Sequence, residues 1–270
     1  MIKRKKFQFG VIGCGNIGCA IASGLTKYAR IPPTKICATE CDISKALNFK
    51  SLFSIEILPL DILVKNSRFI ILAVKPKDIP ELCADMSLLI EDSSVVISVV
   101  AGITMDSLCD FFGKSVYLIR MMPNLAIETG KGLIGYCWKN TDSETLKQVI
   151  EIFSKTSFCF PVQEKDMFLV TAVSGSGPGF LFYFAEIIFQ YLKEKRFDEE
   201  TAQKITAALF EGSGILLAQS NQDPSMLKQR VCSPGGTTLA GLEKMRSENI
   251  EKILKGAFDA ALKKAIELSK

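Results

Sequence analysis

The chain has 270 residues, enough to bury a full core and comfortable for two domains of roughly 100–200 residues each. Apolar residues at 48% and charged residues at 23% exclude a disordered or collagenous chain, and a net charge of +4 is too small to argue for nucleic acid or an acidic membrane. Histidine is absent, which excludes Ser-His-Asp and Cys-His catalysis, histidine acid–base chemistry and histidine-liganded zinc.

The basic start, Met1 to Lys6, runs into an apolar stretch and imitates a secretory signal with Ala20-Ile21-Ala22 as its cleavage site. Gln8, Asn16 and glycines 10, 13, 15 and 18 interrupt that stretch, and cleavage would remove the first strand of a domain that the rest of the chain completes. Lys3 to Lys6 therefore reads as a solvated lead-in. Phe7 to Ile12 is a strand, and Ile17, Ile21, Leu25 and Tyr28 recur on one face of a helix. Lys35 to Thr39 is a second short strand. The apolar runs 69–74 and 95–100 have the pattern of strands buried on both faces, and Val116 to Arg120 is another. Leu133 to Trp138, a helix from about Ser143 to Ser154, and Phe158 to Val162 complete the region. Strands alternating with helices imply an α/β fold with a parallel sheet covered on both sides.

After Asp166 the pattern is helical. Phe180 to Leu192 is almost all apolar, too greasy for a solvent face, and glycines 175, 177 and 179, Pro178 and Glu186 make the stretch a buried core helix, not a bilayer span. Asp198 caps a helix striped by Ile205, Ala208, Leu209, Gly212 and Leu216, and Ile250, Ile253, Leu254, Ala257 and Ala261 stripe another. So much apolar surface on a small bundle calls for a second copy, giving a homodimer or higher homo-oligomer. Nine cysteines, scattered and without a C-x-x-C pair, read as free thiols in a reducing, cytoplasmic compartment, with no metal site.

Gly13-Cys14-Gly15-Asn16-Ile17-Gly18 fits G-x-G-x-x-G, directly after a strand and opening a helix. Gly13 allows the tight turn, Gly15 lets backbone approach a pyrophosphate, and Gly18 allows close helix–strand packing, the device of a dinucleotide site. Glu40 ends the second strand about 20 residues further on, where a carboxylate accepts hydrogen bonds from the ribose of NADH and repels the 2′-phosphate of NADPH. The alternative is a solvent-facing Glu40, with residues 41–45 making the contact. Ligands of open parallel sheets lie beyond the carboxyl ends of the strands, marked here by Val74-Lys75-Pro76, Ala101-Gly102 and Met122-Pro123-Asn124. Ser174-Gly175-Ser176-Gly177-Pro178 and Ser233-Pro234-Gly235-Gly236-Thr237-Thr238 each put loosened N–H groups and hydroxyls before a helix, suited to a small carboxylate.

In this order these motifs resemble the pyrroline-5-carboxylate reductase family along nearly the whole chain, and Ser-Pro-Gly-Gly-Thr-Thr at 233–238 is the most specific of them. The resemblance implies a Rossmann NAD(P)-binding domain over 1–163 and an all-α substrate-binding and dimerisation domain over 164–270. It implies hydride transfer from NADPH or NADH to the cyclic imine 1-pyrroline-5-carboxylate, giving L-proline. It also implies Asn124, Ala101 and Gly102 beside the nicotinamide, with Val74, Lys75 and Pro76 along the cofactor. Ser233, Gly235, Gly236 and Thr238 would bind substrate from the partner subunit's loop, with Ser174 and Gly175 nearby and Thr238 on the ring nitrogen. Gly179-Phe180 replaces the family's usual Ala-Tyr, and Arg68 replaces a common acidic residue. Two other readings compete: a 3-hydroxyacid dehydrogenase-like enzyme, which would need a lysine or histidine base, and a non-catalytic nucleotide sensor.

Overall fold

A computed structural model of the chain describes residues 5–91, 93–113 and 116–269; the lead-in at Lys3 and Arg4 lies outside them. In chain order the elements are β1 (Phe7–Ile12), α1 (Asn16–Lys27), β2 (Ile36–Thr39), α2 (Ile43–Phe53), β3 (Glu56–Ile57), α3 (Leu60–Asn66) and β4 (Ser67–Leu72). Then come α4 (Ile79–Ser87), β5 (Val95–Ser98), α5 (Met105–Phe112), β6 (Tyr117–Pro123), β7 (Gly132–Lys139), α6 (Ser143–Phe153) and β8 (Ser157–Pro161). The helical part holds α7 (Met167–Val170), a π turn (Thr171–Gly175), α8 (Gly177–Glu194), α9 (Glu199–Gln219), α10 (Pro224–Arg230), α11 (Thr237–Ser247) and α12 (Ile250–Glu267).

The strands form one sheet in the order β3-β2-β1-β4-β5-β6-β7-β8. Its first six strands follow the 3-2-1-4-5-6 order of a dinucleotide-binding sheet, with the switch point between β1 and β4. Along β4, Phe69 and Ile71 enter one apolar cluster while Ile70 and Leu72 enter the other, so the run is buried on both faces as its composition requires. The expectation of a wholly parallel sheet needs correction, because β7 pairs antiparallel with β6, Met121 lying opposite Tyr136. The connection spans only 124–131, a short 3-10 turn closed by Gly130 at φ 72°, and a parallel return needs a crossover of a dozen residues or more. β8 then pairs parallel with β7 through the α6 crossover.

Two compact units divide the described chain: Ser176–Ala260 forms one, and everything before it together with the segment from Ala261 forms the other. In the helical unit α8 packs with α9, and the Phe180 ring meets Phe258 of α12 edge-on at 5.1 Å. The expected burial of the greasy helix is not found in a single chain. No residue of α8 is buried, and Leu181, Phe182, Tyr183, Ile187 and Tyr191 are all exposed. A helix apolar all round needs cover on every side, and its neighbours within the unit provide only part of it.

Candidate functional site

Helix starts separate the structural elements from the candidate site. Aspartate or threonine side chains cap α2, α5, α6, α9 and α10: Asp42, Thr104, Asp142, Asp198 and Asp223 each accept a backbone N–H of the first turn. Among the described helices α1, α3, α4, α7, α8 and α11 start without a side-chain cap, and of these α1 and α11 do so on glycine, Gly15 and Gly236. Their first N–H groups are left for something else, at the positive end of the helix dipole.

At α1 the backbone is shaped by close approach. Gly13 has φ 101°, and a Cβ there would stand 2.6 Å from the Ala73 carbonyl oxygen. A Cβ on Gly18 would collide with the Gly13 carbonyl oxygen, while one on Gly15 would meet nothing within 4 Å. Two glycines are thus fixed by packing, and the third faces open space over an uncapped helix start. That is the space a pyrophosphate would fill, so these residues fit a dinucleotide. Hydrogen bonds Gly13 N–H to Thr39 O (2.9 Å) and Ala73 N–H to Ile12 O (2.8 Å) draw β2 and β4 onto the turn.

Glu40 is half-buried just past the end of β2. Its Oε2 accepts Cys14 N–H at 2.8 Å and its Oε1 accepts Asp42 N–H at 3.1 Å, so the carboxylate is tied to the glycine turn. Val74 lies against the same turn, 3.2 Å from where a Gly13 Cβ would be, with Lys75 exposed and Pro76 starting a 3-10 turn. Ala101 and Gly102 follow β5, Gly102 buried at φ 81°. Asn124, 7% exposed, ends β6; its Oδ1 accepts Leu133 N–H at 3.1 Å, which leaves the amide nitrogen as the free donor end. The structure thus collects Gly13, Gly15, Asn16, Ile17, Gly18, Glu40 and Val74 at one turn, and sets Ala101, Gly102 and Asn124 at the ends of the adjacent strands.

Ser174 lies in the π turn, 3% exposed, with its Oγ buried and unpartnered. Gly175 beside it is exposed, close to Met122 of β6. In the helical unit Ser233 and Gly235 are exposed in the α10–α11 turn, Gly235 at φ 69° and Gly236 N–H donating to Ser233 O at 3.0 Å. Thr238 is exposed in the first turn of α11, beside its uncapped N–H groups.

Cys14, Cys37, Cys83 and Cys137 are buried as read, while Cys19, Cys109, Cys159 and Cys232 are only half-buried. Burial pushes Cys14 and Cys83 up to about 12, with Glu40 a further cause at Cys14, and pushes Cys37 and Cys137 up to about 11. Cys41 alone among the nine is exposed, none is in a disulfide, and no metal-binding cluster occurs among the described residues. Sequence reasoning missed the ion pair of the buried Arg120 with the half-buried Glu164. Its signal was available: an arginine closing the apolar run 116–120 demands a carboxylate partner.

Residues 164–268 match the family model for pyrroline-5-carboxylate reductase dimerisation, and residues 8–102 match that for NADP oxidoreductase coenzyme F420-dependent. Pyrroline-5-carboxylate reductase 1 of Bacillus subtilis is 28% identical over 269 residues, covering 98% of this chain and 90% of that protein. Among solved structures, a pyrroline-5-carboxylate reductase from Coxiella burnetii aligns with a TM-score of 0.85 at 27% identity, over 99% of this chain and 100% of that one. The fold is shared with Plasmodium falciparum pyrroline carboxylate reductase with NADP bound, TM-score 0.89 at 24% identity over 99% and 100% of the two chains. Along nearly its whole length the chain is similar to pyrroline-5-carboxylate reductases, and residues 164–268 match the dimerisation part of that family.

Proposed function

We propose that this chain is a pyrroline-5-carboxylate reductase, transferring hydride from NADH or NADPH to the ring carbon of the cyclic imine 1-pyrroline-5-carboxylate and releasing L-proline. The observation that carries the reading is the glycine turn: packed against Ala73 and Val74, open at Gly15 and tied to Glu40.

The nicotinamide cofactor supplies the hydride. The uncapped N–H groups of Asn16, Ile17 and Gly18 hold its pyrophosphate, and Glu40 accepts from its ribose, favouring NADH. Val74, Lys75 and Pro76 line it, while Ala101, Gly102 and the Asn124 amide orient the ring. The chain needs no strong acid, because a protonated imine is already electrophilic; orientation and exclusion of water suffice. The uncapped start of α11, with Ser233, Gly235 and Gly236, is our candidate for the substrate carboxylate, supplied as a loop by the partner subunit. The Thr238 hydroxyl hydrogen-bonds the ring nitrogen.

The substrate-binding and dimerisation part begins at residue 164 in sequence, although 164–175 and the segment from Ala261 pack with the sheet unit, and it forms a homodimer or larger homo-oligomer. The second copy covers the exposed faces of α8 and α9. One run, Glu164–Glu194, is long and apolar enough to cross a bilayer by length and composition. Burial of Met167, Val170 and Ser174 within the sheet unit and the need for a dimer face favour a packed role for it. Free thiols favour the cytoplasm. Loss of reduced-nicotinamide absorbance with pyrroline-5-carboxylate, beside a hydroxyacid panel in the reverse direction, tests the reading. Turnover of a hydroxyacid and none of the imine would overturn it.

A further inference from the structure

Arg120 is the largest fully buried side chain of the described residues, 2% exposed in the middle of β6. Its Nη1 donates to Glu164 Oε1 at 3.0 Å, and the same oxygen accepts Met105 N–H at 2.6 Å. The guanidinium carbon stands 5.8 Å from the centre of the Phe168 ring. One carboxylate oxygen therefore joins three segments. The first is β6, which runs on to Asn124. The second is the start of α5, just past Gly102, and the third is the stretch that enters α7 and the π turn carrying Ser174.

Such a pair is a poor device for stability alone, since taking the Arg120 charge out of water costs about what its attraction to the half-buried Glu164 returns. What it provides is direction: a charge-assisted bond is fixed in length and angle, whereas apolar contacts slide. Direction is what the next segment needs. A π turn is rare and costs backbone energy, so it persists only where its surroundings hold it. On β6, Met122 shares the Arg120 face by strand alternation and contacts the turn at Gly175; Val170 packs onto Gly135 of β7. Two buried polar atoms of this region, Arg120 Nη2 and Ser174 Oγ, have no partner.

We propose that Arg120 and Glu164 are positioning residues: the pair fastens the 164–175 segment to β6 and to the start of α5, and so holds Ser174 in register with the strand ends at Gly102 and Asn124. The catalytic consequence rests on the imine-reductase reading; the ordering of the π turn does not.

The test compares Arg120→Met, Glu164→Met, the double variant and Glu164→Gln in the full chain. Glu164→Met strands the buried Arg120 charge and lowers Tm more than Arg120→Met, which leaves only a half-buried carboxylate; the double variant removes both charges and recovers Tm to within about 4 °C of the parent. In the double variant, amide exchange at 171–175 still rises about tenfold or more. Its kcat/KM for the imine falls about 10- to 100-fold while dinucleotide affinity holds. Glu164→Gln keeps an accepting oxygen but leaves Arg120 without its counter-charge, so it lowers Tm, while its exchange at 171–175 and its rate stay closer to the parent's than those of Glu164→Met. Recovery of exchange and kcat/KM along with Tm in the double variant would overturn the proposal, as would Glu164→Gln behaving like Glu164→Met. If the parent itself reduces no imine, the functional reading fails, and the exchange measurement alone still decides whether the pair orders the turn.

Discussion

Replacing Glu40 with glutamine should erase a discrimination between NADH and NADPH. Two backbone N–H groups, Cys14 at 2.8 Å and Asp42 at 3.1 Å, hold the carboxylate, so it cannot swing away from an incoming 2′-phosphate. Lys45 Nζ lies 3.6 Å from the Asp42 carboxylate, and its charge is already matched. Two unit charges about 4 Å apart repel by about 1 kcal/mol in water and about 4 kcal/mol in the effective dielectric of a protein surface. A phosphate monoester carries roughly 1.5 to 2 charges, but Glu40 is only half-buried and solvent screens the pair, so the lower part of the range applies. About 1.5–3 kcal/mol corresponds to a preference of about 10- to 100-fold. Steady-state kcat/KM for each cofactor at fixed imine measures it. The parent should favour NADH by that factor, and Glu40→Gln, which keeps one of the two accepting oxygens and loses the charge, should bring the ratio near unity. A parent that prefers NADPH, or a ratio unmoved by the substitution, would refute the assignment of Glu40.

Thr238→Ala should lower kcat/KM for the imine about 10- to 100-fold with dinucleotide affinity unchanged, as read by nucleotide fluorescence titration; an unaltered rate removes Thr238 from the mechanism. Gly18→Ala drives a methyl into the Gly13 carbonyl and should weaken dinucleotide binding about tenfold or more. Gly241→Ala, in α11 where a Cβ meets nothing within 4 Å, should leave that affinity alone. Alkaline stability follows the thiols. Cys14 and Cys83 at about 12, and Cys37 and Cys137 at about 11, lie above the ordinary 9.0, so above pH 9 the unfolded chain loses protons that the folded chain keeps. Tm should therefore fall from pH 9 towards 11. A flat Tm across that window would contradict the burial of these thiols.

Much of this architecture is legible in the amino-acid order because it rests on local rules. The double-sided burial of 69–72 follows from an unbroken β-branched and aromatic run, and the cap at Asp198 from side-chain geometry. The Gly13 and Gly18 contacts follow from a motif whose spacing is itself steric. What the order hides is set by partners distant along the chain. The antiparallel turn of β7 depends on the short connection through Gly130, and the exposure of α8 depends on a surface outside the single chain. The Arg120–Glu164 pair joins residues 44 apart in the chain, beyond any local periodicity. At the candidate site the residue types at 233–238 point to anion binding, but the absence of a side-chain cap on α11 becomes visible only in three dimensions.

Reduction of pyrroline-5-carboxylate with NADH carrying deuterium at the transferable C4 position confronts the whole scheme at once. Proline recovered from the parent enzyme should gain one deuterium, at the carbon that was double-bonded to nitrogen. Label released to water, or unlabelled proline formed while the cofactor is oxidised, would contradict direct hydride delivery from a dinucleotide seated on the glycine turn.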